Sequence, residues 1–176
     1  MKTLFKGRFL TVQDRSGWEY ADRPGKSEAV IIIAMDGTKM ILVEQFRPPQ
    51  NAFVISNPAG LVEEHSGDPA ADREKTAHKE LLEETGYIAE RMHMLMSGPV
   101  SPGMTTEIIR IFLAENVRWQ EEAKGDGDEE LTLHLVEIDG IADWLGAQEK
   151  AGKQIDLKLT LALAAMGKYP FAPAPG

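Results

Sequence analysis

The stretch Lys79–Tyr87 reads KELLEETGY, and it places three carboxylates within five residues just before a glycine. Helical spacing puts Glu80 and Glu84 on one face, with Glu83 three residues after Glu80. Like charges this close favour a bound cation, and hard divalent cations such as Mg²⁺ prefer oxygen ligands. A solvated acidic helix face is the competing interpretation. The upstream segment PAGLVEE, Pro58–Glu64, favours the metal site because it places a glycine turn after an extended segment.

Apolar periodicity around this stretch predicts an α/β protein. A helix is expected from Pro69 or Asp72 to Thr85, with Gly86 as its C-terminal cap. The polar residues 56–71 before this helix are expected to form a loop. Strands are predicted at 4–12, 17–23, 29–35, 39–46, 52–55, 92–97, 107–114 and 131–138. Two further helices are predicted at about 139–151 and 156–167.

The chain resembles the Nudix superfamily in the second half of its signature, G-x5-E-x7-R-E-U-x-E-E-x-G-U, where U is a bulky apolar residue. The matching residues are Glu80, Leu81, Glu83, Glu84, Gly86 and Tyr87. Lys79 replaces the arginine, Ala71 replaces the first glutamate, and the segment from Gly60 onward is five residues longer than the signature. Lysine keeps the charge of arginine but lacks its two-pronged donor geometry. The resemblance implies a Nudix-type α/β/α sandwich with a mixed β-sheet and an N-terminal antiparallel strand extension.

Three further segments are similar to the ADP-ribose (ADP-sugar) pyrophosphatase branch of this superfamily. They are WEYADR at Trp18–Arg23, ILVEQFRPP at Ile41–Pro49, and SPGMTTE at Ser101–Glu107. Ser56 departs from the branch, which usually has a glutamate before the PAG turn. The resemblance covers about residues 15–140.

A metal site is implied by the same resemblance, with Mg²⁺ as the cofactor and Mn²⁺ as a substitute. The implied ligands are the main-chain oxygen of Ala59 and the carboxylates of Glu80, Glu83, Glu84 and Glu129. Glu83 is expected to bind the metal, to brace the ligands or to take part in catalysis. The general base is expected on a late acidic loop, with Glu129 as the first candidate and Glu130 as the second. A solvated charge run is the competing interpretation of this loop.

Substrate-binding residues are also implied by the resemblance: Trp18, Glu19, Arg23, Arg47, Leu61, Ser101 and Glu107. Trp18 is expected to stack on adenine, because a flat aromatic ring suits the face of a base. Arg23 and Arg47 are expected to bind phosphate oxygens with paired donors. Ser101 and Glu107 are expected to contact the terminal ribose. The competing interpretations are a core or interface aromatic for Trp18, surface ion pairs for the two arginines, and an ordinary turn for Ser101–Gly103.

Composition places the 176 residues among ordinary globular proteins, with 43% hydrophobic and 27% charged residues. The net charge of −9, without a basic stripe, argues against a nucleic-acid partner. The absence of cysteine excludes thiol chemistry, and no apolar run predicts a membrane span. We expect one cytoplasmic domain over residues 1–176, with an irregular tail at 168–176. The resemblance implies a homodimer in which strands within residues 1–28 contact the second subunit.

The resemblance therefore implies a Mg²⁺-dependent hydrolase that cleaves ADP-ribose to AMP and ribose 5-phosphate. The same chemistry on another nucleotide sugar, such as GDP-mannose, is the neighbouring alternative. A sensor that binds ADP-ribose without cleaving it is a different class, and the presence of Glu80, Glu83 and Glu84 argues against it. An acidic calcium-binding or scaffold protein is disfavoured because the chain lacks a D-x-D-x-D-G loop.

Overall fold

The computed structural model of this chain describes residues 1–25, 27–63, 66–124 and 130–167. Its strands are β1 (Lys2–Lys6), β2 (Thr11–Arg15), β3 (Trp18–Asp22), β4 (Glu28–Ile33), β5 (Met35–Asp36), β6 (Lys39–Arg47), β7 (Ala52–Ser56), β8 (Ala59–Leu61), β9 (Tyr87–Ile88), β10 (Arg91–Pro99), β11 (Ile108–Glu115), β12 (Arg118–Trp119), β13 (Leu131–Glu137) and β14 (Gln154–Ile155). Its α-helices are α1 (Pro69–Thr85), α2 (Ile141–Lys150) and α3 (Leu157–Ala165). None of the helices in the described ranges is long and apolar enough to cross a membrane.

The N-terminal strands β1, β2 and β3 form an antiparallel sheet of their own. Between β2 and β3 the chain turns at Ser16 and Gly17, which have φ angles of 58° and 84°. Glycine adopts this left-handed conformation without a steric penalty. The single strand predicted at 4–12 is divided, because the chain turns at Gly7, whose N–H donates to the Leu10 carbonyl at 2.8 Å. The predicted N-terminal antiparallel extension is confirmed.

The central layer consists of two mixed sheets. One has the strand order β10-β11-β4-β8, in which β11 and β4 run parallel and the other pairs antiparallel. The other has the order β13-β6-β7-β14, with β5 also paired to β6, and here β7 and β14 run parallel. The short strands β9 and β12 pair with each other. The mixture of parallel and antiparallel strands predicted from the sequence is therefore confirmed, and it occurs in two sheets instead of one.

Strand β4 explains why helices cover both faces of the central layer. Ile31 and Ile33 belong to a core that includes residues of α2 and α3, such as Leu145 and Leu159. Val30 and Ile32 point to the other face, into a core with Ala77 and Leu81 of α1. Successive side chains of a strand alternate between faces, so a fully apolar strand must be covered on both. This arrangement is the predicted α/β/α sandwich.

Helix α1 begins and ends at the residues that its sequence favours. The Asp68 side chain caps the first turn by accepting a hydrogen bond of 2.9 Å from the Ala70 N–H, and Pro69 occupies the first helical position. Gly86 ends the helix with a φ of 76°, and its N–H donates to the Leu82 carbonyl. The predicted helix before Gly86 is confirmed.

The expectation of a continuous loop over residues 56–71 is wrong at one place, because β8 lies within it. Ala59 and Gly60 pair with Ile31 and Val30 of β4. The Pro-Ala-Gly sequence has the composition of a turn, and pairing with a distant strand overrides that local preference. The irregular tail predicted at 168–176 lies outside the described residues.

Candidate active site

One face of α1 carries Glu80 and Glu84, two of the carboxylates predicted to bind metal, and it packs on β8. Glu84 accepts a hydrogen bond of 3.0 Å at Oε2 from the backbone N–H of Ala59. The Glu80 carboxyl group lies so close to Gly60 that a Cβ added there would overlap it. The side chain of Glu80 is only 14% exposed. The structure thus brings Glu80 and Glu84 together with the backbone of Ala59, and their binding of a metal ion stays a prediction.

Lys79 pairs with the same carboxylate cluster. Its Nζ lies 3.1 Å from Glu83 Oε2 and 3.6 Å from Glu80 Oε1. The hydrogen bond to Glu83 raises the pKa of Lys79, partial burial opposes this, and the charges of Glu80 and Glu83 raise it further. Lysine therefore supplies the cation at the position of the signature arginine, through contacts with two separate carboxylates. Glu83 is half-buried beside it, and its part in metal binding or catalysis stays a prediction.

The oxygen donors at the junction of α1 and β8 fit a hard divalent cation. Within the described ranges, no group of three or more acidic or histidine side chains is arranged to hold a metal ion. Mg²⁺ does not require such a cage, because it commonly keeps several waters and uses one or two carboxylates plus substrate phosphates. The carboxylates of Glu80 and Glu84, next to the main chain of Ala59, match this limited set of donors. Glu129, the further predicted ligand and base, lies outside the described residues.

A cleft of about 1030 Å³ opens beside β8. Five of the predicted site residues line it: Arg23, Arg47, Ala59, Leu61 and Glu107. This volume is at the upper end of the range for small-molecule sites, about 300–1,000 Å³. Two guanidinium groups in one cleft provide the paired donors that phosphate oxygens require. The two arginines predicted to bind phosphate thus line the same cleft as Ala59, whose main-chain oxygen is a predicted metal ligand.

Trp18 is not a core residue. Its side chain is 64% exposed on β3, and its Nε1 donates a hydrogen bond of 2.9 Å to the Gly103 carbonyl. The Ser101–Glu107 segment is further tied to β3, since the Ala21 N–H donates to the Met104 carbonyl at 2.8 Å. Trp18, its exposed neighbour Glu19, and Ser101 are not among the described residues that line the cleft. The core alternative for Trp18 is excluded, whereas the interface alternative and the contact with adenine both stay predictions.

The candidate bases on the acidic loop are only partly described. Glu130 is exposed and stands immediately before β13, whose first residue, Leu131, pairs with Gln45 of β6. Its catalytic assignment stays a prediction.

Several cleft residues near β14 and α3 were missed by the sequence interpretation. Asp156 caps α3, and its Oδ2 lies 2.6 Å from Lys158 Nζ. Both residues line the cleft, together with Leu157 and Leu161. The only local signal was an aspartate before an apolar helix, which predicts a cap rather than a binding site. They share this cleft with Arg47 because β14 pairs in parallel with β7, and that pairing has no local signature.

Several known proteins are similar to this chain in sequence. A relative named methanol dehydrogenase activator, from Bacillus methanolicus, is 34% identical over 145 residues, which cover 77% of this chain and 74% of that protein. An ADP-ribose pyrophosphatase of Bacillus subtilis (strain 168) is 36% identical over 121 residues, covering 68% of this chain and 60% of the relative. A GDP-mannose pyrophosphatase of Yersinia enterocolitica is 33% identical over 144 residues, covering 79% and 74%.

Among solved structures, the crystal structure of an ADP compounds hydrolase superposes with a TM-score of 0.64 at 21% identity, covering 82% of this chain and 80% of that one. At this identity the likeness establishes the fold. The family model described as the NUDIX domain matches residues 25–157, which include β4, β8 and the whole of α1. The chain therefore belongs to the NUDIX domain family.

Proposed function

We propose that this chain is a divalent-metal-dependent pyrophosphatase that hydrolyses ADP-ribose or a related nucleotide sugar to a nucleoside monophosphate and a sugar phosphate. The observation that carries this proposal is the packing of Glu80 and Glu84 of α1 against the backbone of Ala59 and Gly60 in β8. Ala59 and Gly60 line the cleft that also contains Arg23 and Arg47, so the two carboxylates are packed against residues of its wall. An acidic protein that accepts an anionic diphosphate needs cations, here the arginines and a bound metal ion, to offset charge repulsion.

The arginines and the metal site have different roles toward the diphosphate. Arg23 and Arg47 line the cleft, and they would hold phosphate oxygens through paired hydrogen bonds. Glu80, Glu84 and the Ala59 carbonyl would hold Mg²⁺, with Mn²⁺ as a substitute. When bound there, the metal would neutralise charge on the diphosphate. Positioning and electrostatic stabilisation are the main contributions that a protein makes to phosphoryl-type chemistry.

The reaction consumes one water molecule. The water oxygen forms a bond to one phosphorus atom, the bond from that phosphorus to the bridging oxygen breaks, and the bridging oxygen leaves with the other phosphate. Near neutral pH both protons of the water are released, because both products are phosphate monoesters with a second pKa of about 6. The proposed general base is Glu129, or else Glu130, which would accept the first proton.

The adenine end of the substrate is assigned to the exposed Trp18. Its indole N–H donates a hydrogen bond to the Gly103 carbonyl. This bond fixes the ring, and Trp18 stays 64% exposed. A fixed, exposed indole is suited to stacking on a base. Glu19 is its proposed neighbour in this contact, and Ser101 and Glu107 are assigned to the terminal ribose.

A homodimer is part of this proposal. Strand β1 and the turn that follows it expose four large apolar residues, which are 42–68% exposed: Leu4, Phe5, Phe9 and Leu10. Clustered apolar residues on a surface favour an interface. The cytoplasmic location stays a prediction from the sequence.

Hydrolysis of GDP-mannose is the second candidate, because the relative of that name is 33% identical to this chain and the ADP-ribose pyrophosphatase 36%. The two identities are nearly equal, so they do not favour one nucleotide sugar over the other. The residues of the cleft bind the shared diphosphate, so both substrates would use the same metal site.

One substrate panel tests the proposal. ADP-ribose, GDP-mannose, NADH and diadenosine polyphosphates are incubated with protein and Mg²⁺ or Mn²⁺, and phosphate monoesters are measured after alkaline phosphatase treatment. We expect the highest kcat/KM for ADP-ribose. Glu149→Gln, an exposed change on α2, is the control and should leave the profile unchanged. A higher kcat/KM for GDP-mannose would favour the second candidate, and tight binding of ADP-ribose without any product would favour the sensor.

A further inference from the structure

Glu28 is held between two arginines, each of which donates two hydrogen bonds to it. Arg73 of α1 bonds Oε2 through Nε and lies 2.9 Å from Oε1 through Nη2. Arg110 of β11 lies 3.1 Å from Oε2 through Nε and 2.8 Å from Oε1 through Nη2. Hydrogen bonds from Arg110 and Arg73 lower the pKa of Glu28 to about 2. Two-pronged charged pairs of this kind fix geometry as well as add energy.

The main chain of Glu28 is joined to the other half of the metal site. Its carbonyl accepts a hydrogen bond of 2.9 Å from the Val62 N–H, directly after β8. Its neighbour Ala29 pairs with Leu61, the last residue of β8. Glu28 therefore contacts α1 through its side chain and the end of β8 through its backbone. These are the two elements that carry Glu80, Glu84 and Ala59.

Helical spacing places Arg73 on the same stripe of α1 as Glu80 and Glu84, the residues that contact β8. Glu80 and Glu84 follow it by seven and eleven residues, which are close to two and three turns of helix. The distal end of this stripe is fixed by the bond from the Ala59 N–H to Glu84. The proximal end is fixed by the two-pronged bond from Arg73 to Glu28. A helix held at both ends of one stripe cannot slide or rotate against its neighbouring strand.

We propose that Glu28, clamped by Arg73 and Arg110, is a positioning residue that sets the register of α1 on β8 and so places Glu80 and Glu84 for metal binding. It acts through α1 and does not itself touch metal or substrate. The inference rests on the metal site of the proposed function. It also predicts that lysine suffices at position 79, since Arg73 provides a two-pronged clamp on the same helix.

The test is direct Mn²⁺ binding, measured as the loss of the electron paramagnetic resonance signal of the free ion. The measurement is made at a temperature where circular dichroism shows that every variant is folded. Glu28→Gln should weaken Mn²⁺ binding by about tenfold, the scale found when residues that orient metal ligands are replaced. The matched control is Glu115→Gln, which removes another carboxylate of the central sheet, paired with Arg91 at 3.0 Å. That control should bind Mn²⁺ within about twofold of the wild type.

A milder variant covers the possibility that Glu28→Gln does not fold. Arg73→Lys keeps the charge and loses the second hydrogen bond, so it should weaken Mn²⁺ binding by about threefold. If either folded variant melted earlier but bound Mn²⁺ like the wild type, Glu28 would serve stability alone and the proposal would be wrong. No substrate is present in this measurement. A chain that bound Mn²⁺ but hydrolysed no nucleotide sugar would therefore contradict the proposed function and still test Glu28.

Discussion

The Oε2 atom of Glu84 accepts a hydrogen bond of 3.0 Å from the backbone N–H of Ala59, which fastens the last turn of α1 to β8. One turn earlier, Glu80 rests against Gly60, the next residue of the same strand. Two acidic side chains thus contact two consecutive small residues. The close approach depends on the absence of a side chain at Gly60, which explains why a glycine stands here although its φ is not positive.

Gly60→Ala tests this close approach. The added Cβ would overlap the Glu80 carboxyl group, so Glu80 or α1 must move, and overpacking of this kind costs about 1–3 kcal/mol. We expect metal-dependent turnover to fall by more than about tenfold, together with weaker Mn²⁺ binding. Gly98→Ala in β10 is the matched control, because a Cβ there meets nothing within 4 Å. Equal activity in the two variants would show that Glu80 tolerates displacement.

The local part of the site was predictable from the sequence, and its distant part was not. Glu80, Glu84 and the cap at Gly86 follow from helical spacing and glycine conformation, which are set by near neighbours. The position of β8 depends on pairing with β4, almost thirty residues away, and the turn-like Pro58-Ala59-Gly60 sequence hid it. Long-range pairing of this kind leaves no local pattern in a strand of three residues.

The clamp on Glu28 escaped prediction for a related reason. Arg73 and Arg110 are separated from Glu28 by 45 and 82 residues, and each of the three alone has the appearance of a surface charge. Lys158 and Asp156 likewise reach the cleft only because β14 runs beside β7. The Trp18 motif could be recognised, yet its contact with Gly103 spans 85 residues. Contacts between side chains of distant segments depend on how the strands and helices are arranged in space, so the local sequence does not reveal them.

Lys79 should tolerate arginine better than alanine. Its Nζ contacts both Glu83 and Glu80, and arginine keeps that charge, so Lys79→Arg should change kcat by less than about tenfold, or ~1.4 kcal/mol. Lys79→Ala should reduce kcat further, because two clustered carboxylates then lose a neighbouring cation. Steady-state kinetics at saturating Mg²⁺ measure this order. Lys75→Ala, an exposed lysine of the same helix, is the control, and an equal loss in both alanine variants would contradict a specific part for Lys79.

Trp18→Ala should affect substrate binding and leave stability nearly unchanged. A stack of base on indole contributes ~1–3 kcal/mol, so KM for ADP-ribose should rise by about tenfold while kcat stays similar. The melting temperature should shift little, because the ring is 64% exposed. Trp119→Ala removes another exposed tryptophan, 58% exposed, and should leave KM unchanged. A normal KM in Trp18→Ala would rule out the stacking contact.

Glu28 makes the stability of the fold dependent on acid. Its pKa is lowered from 4.5 to about 2, so its contribution is fully present above pH 4.5 and is lost as pH falls toward 2. For a shift of this size the contribution is at most about 3 kcal/mol. Urea unfolding at pH 6 and pH 3 should therefore show a larger loss for the wild type than for Glu28→Gln. Parallel losses in the two proteins would mean that Glu28 is not held by its arginines in solution.

The most direct test of the central claim is a ³¹P NMR time course of ADP-ribose with the wild-type protein and Mg²⁺. The account predicts that the diphosphate resonances disappear and that two phosphate-monoester resonances, from AMP and ribose 5-phosphate, replace them. Addition of EDTA should stop this conversion, and Glu84→Gln should lack it while remaining folded, since loss of one metal-site charge removes several kcal/mol of transition-state stabilisation. Persistence of the diphosphate resonances with the wild type and Mg²⁺, or conversion that continues in EDTA or in Glu84→Gln, would contradict the account.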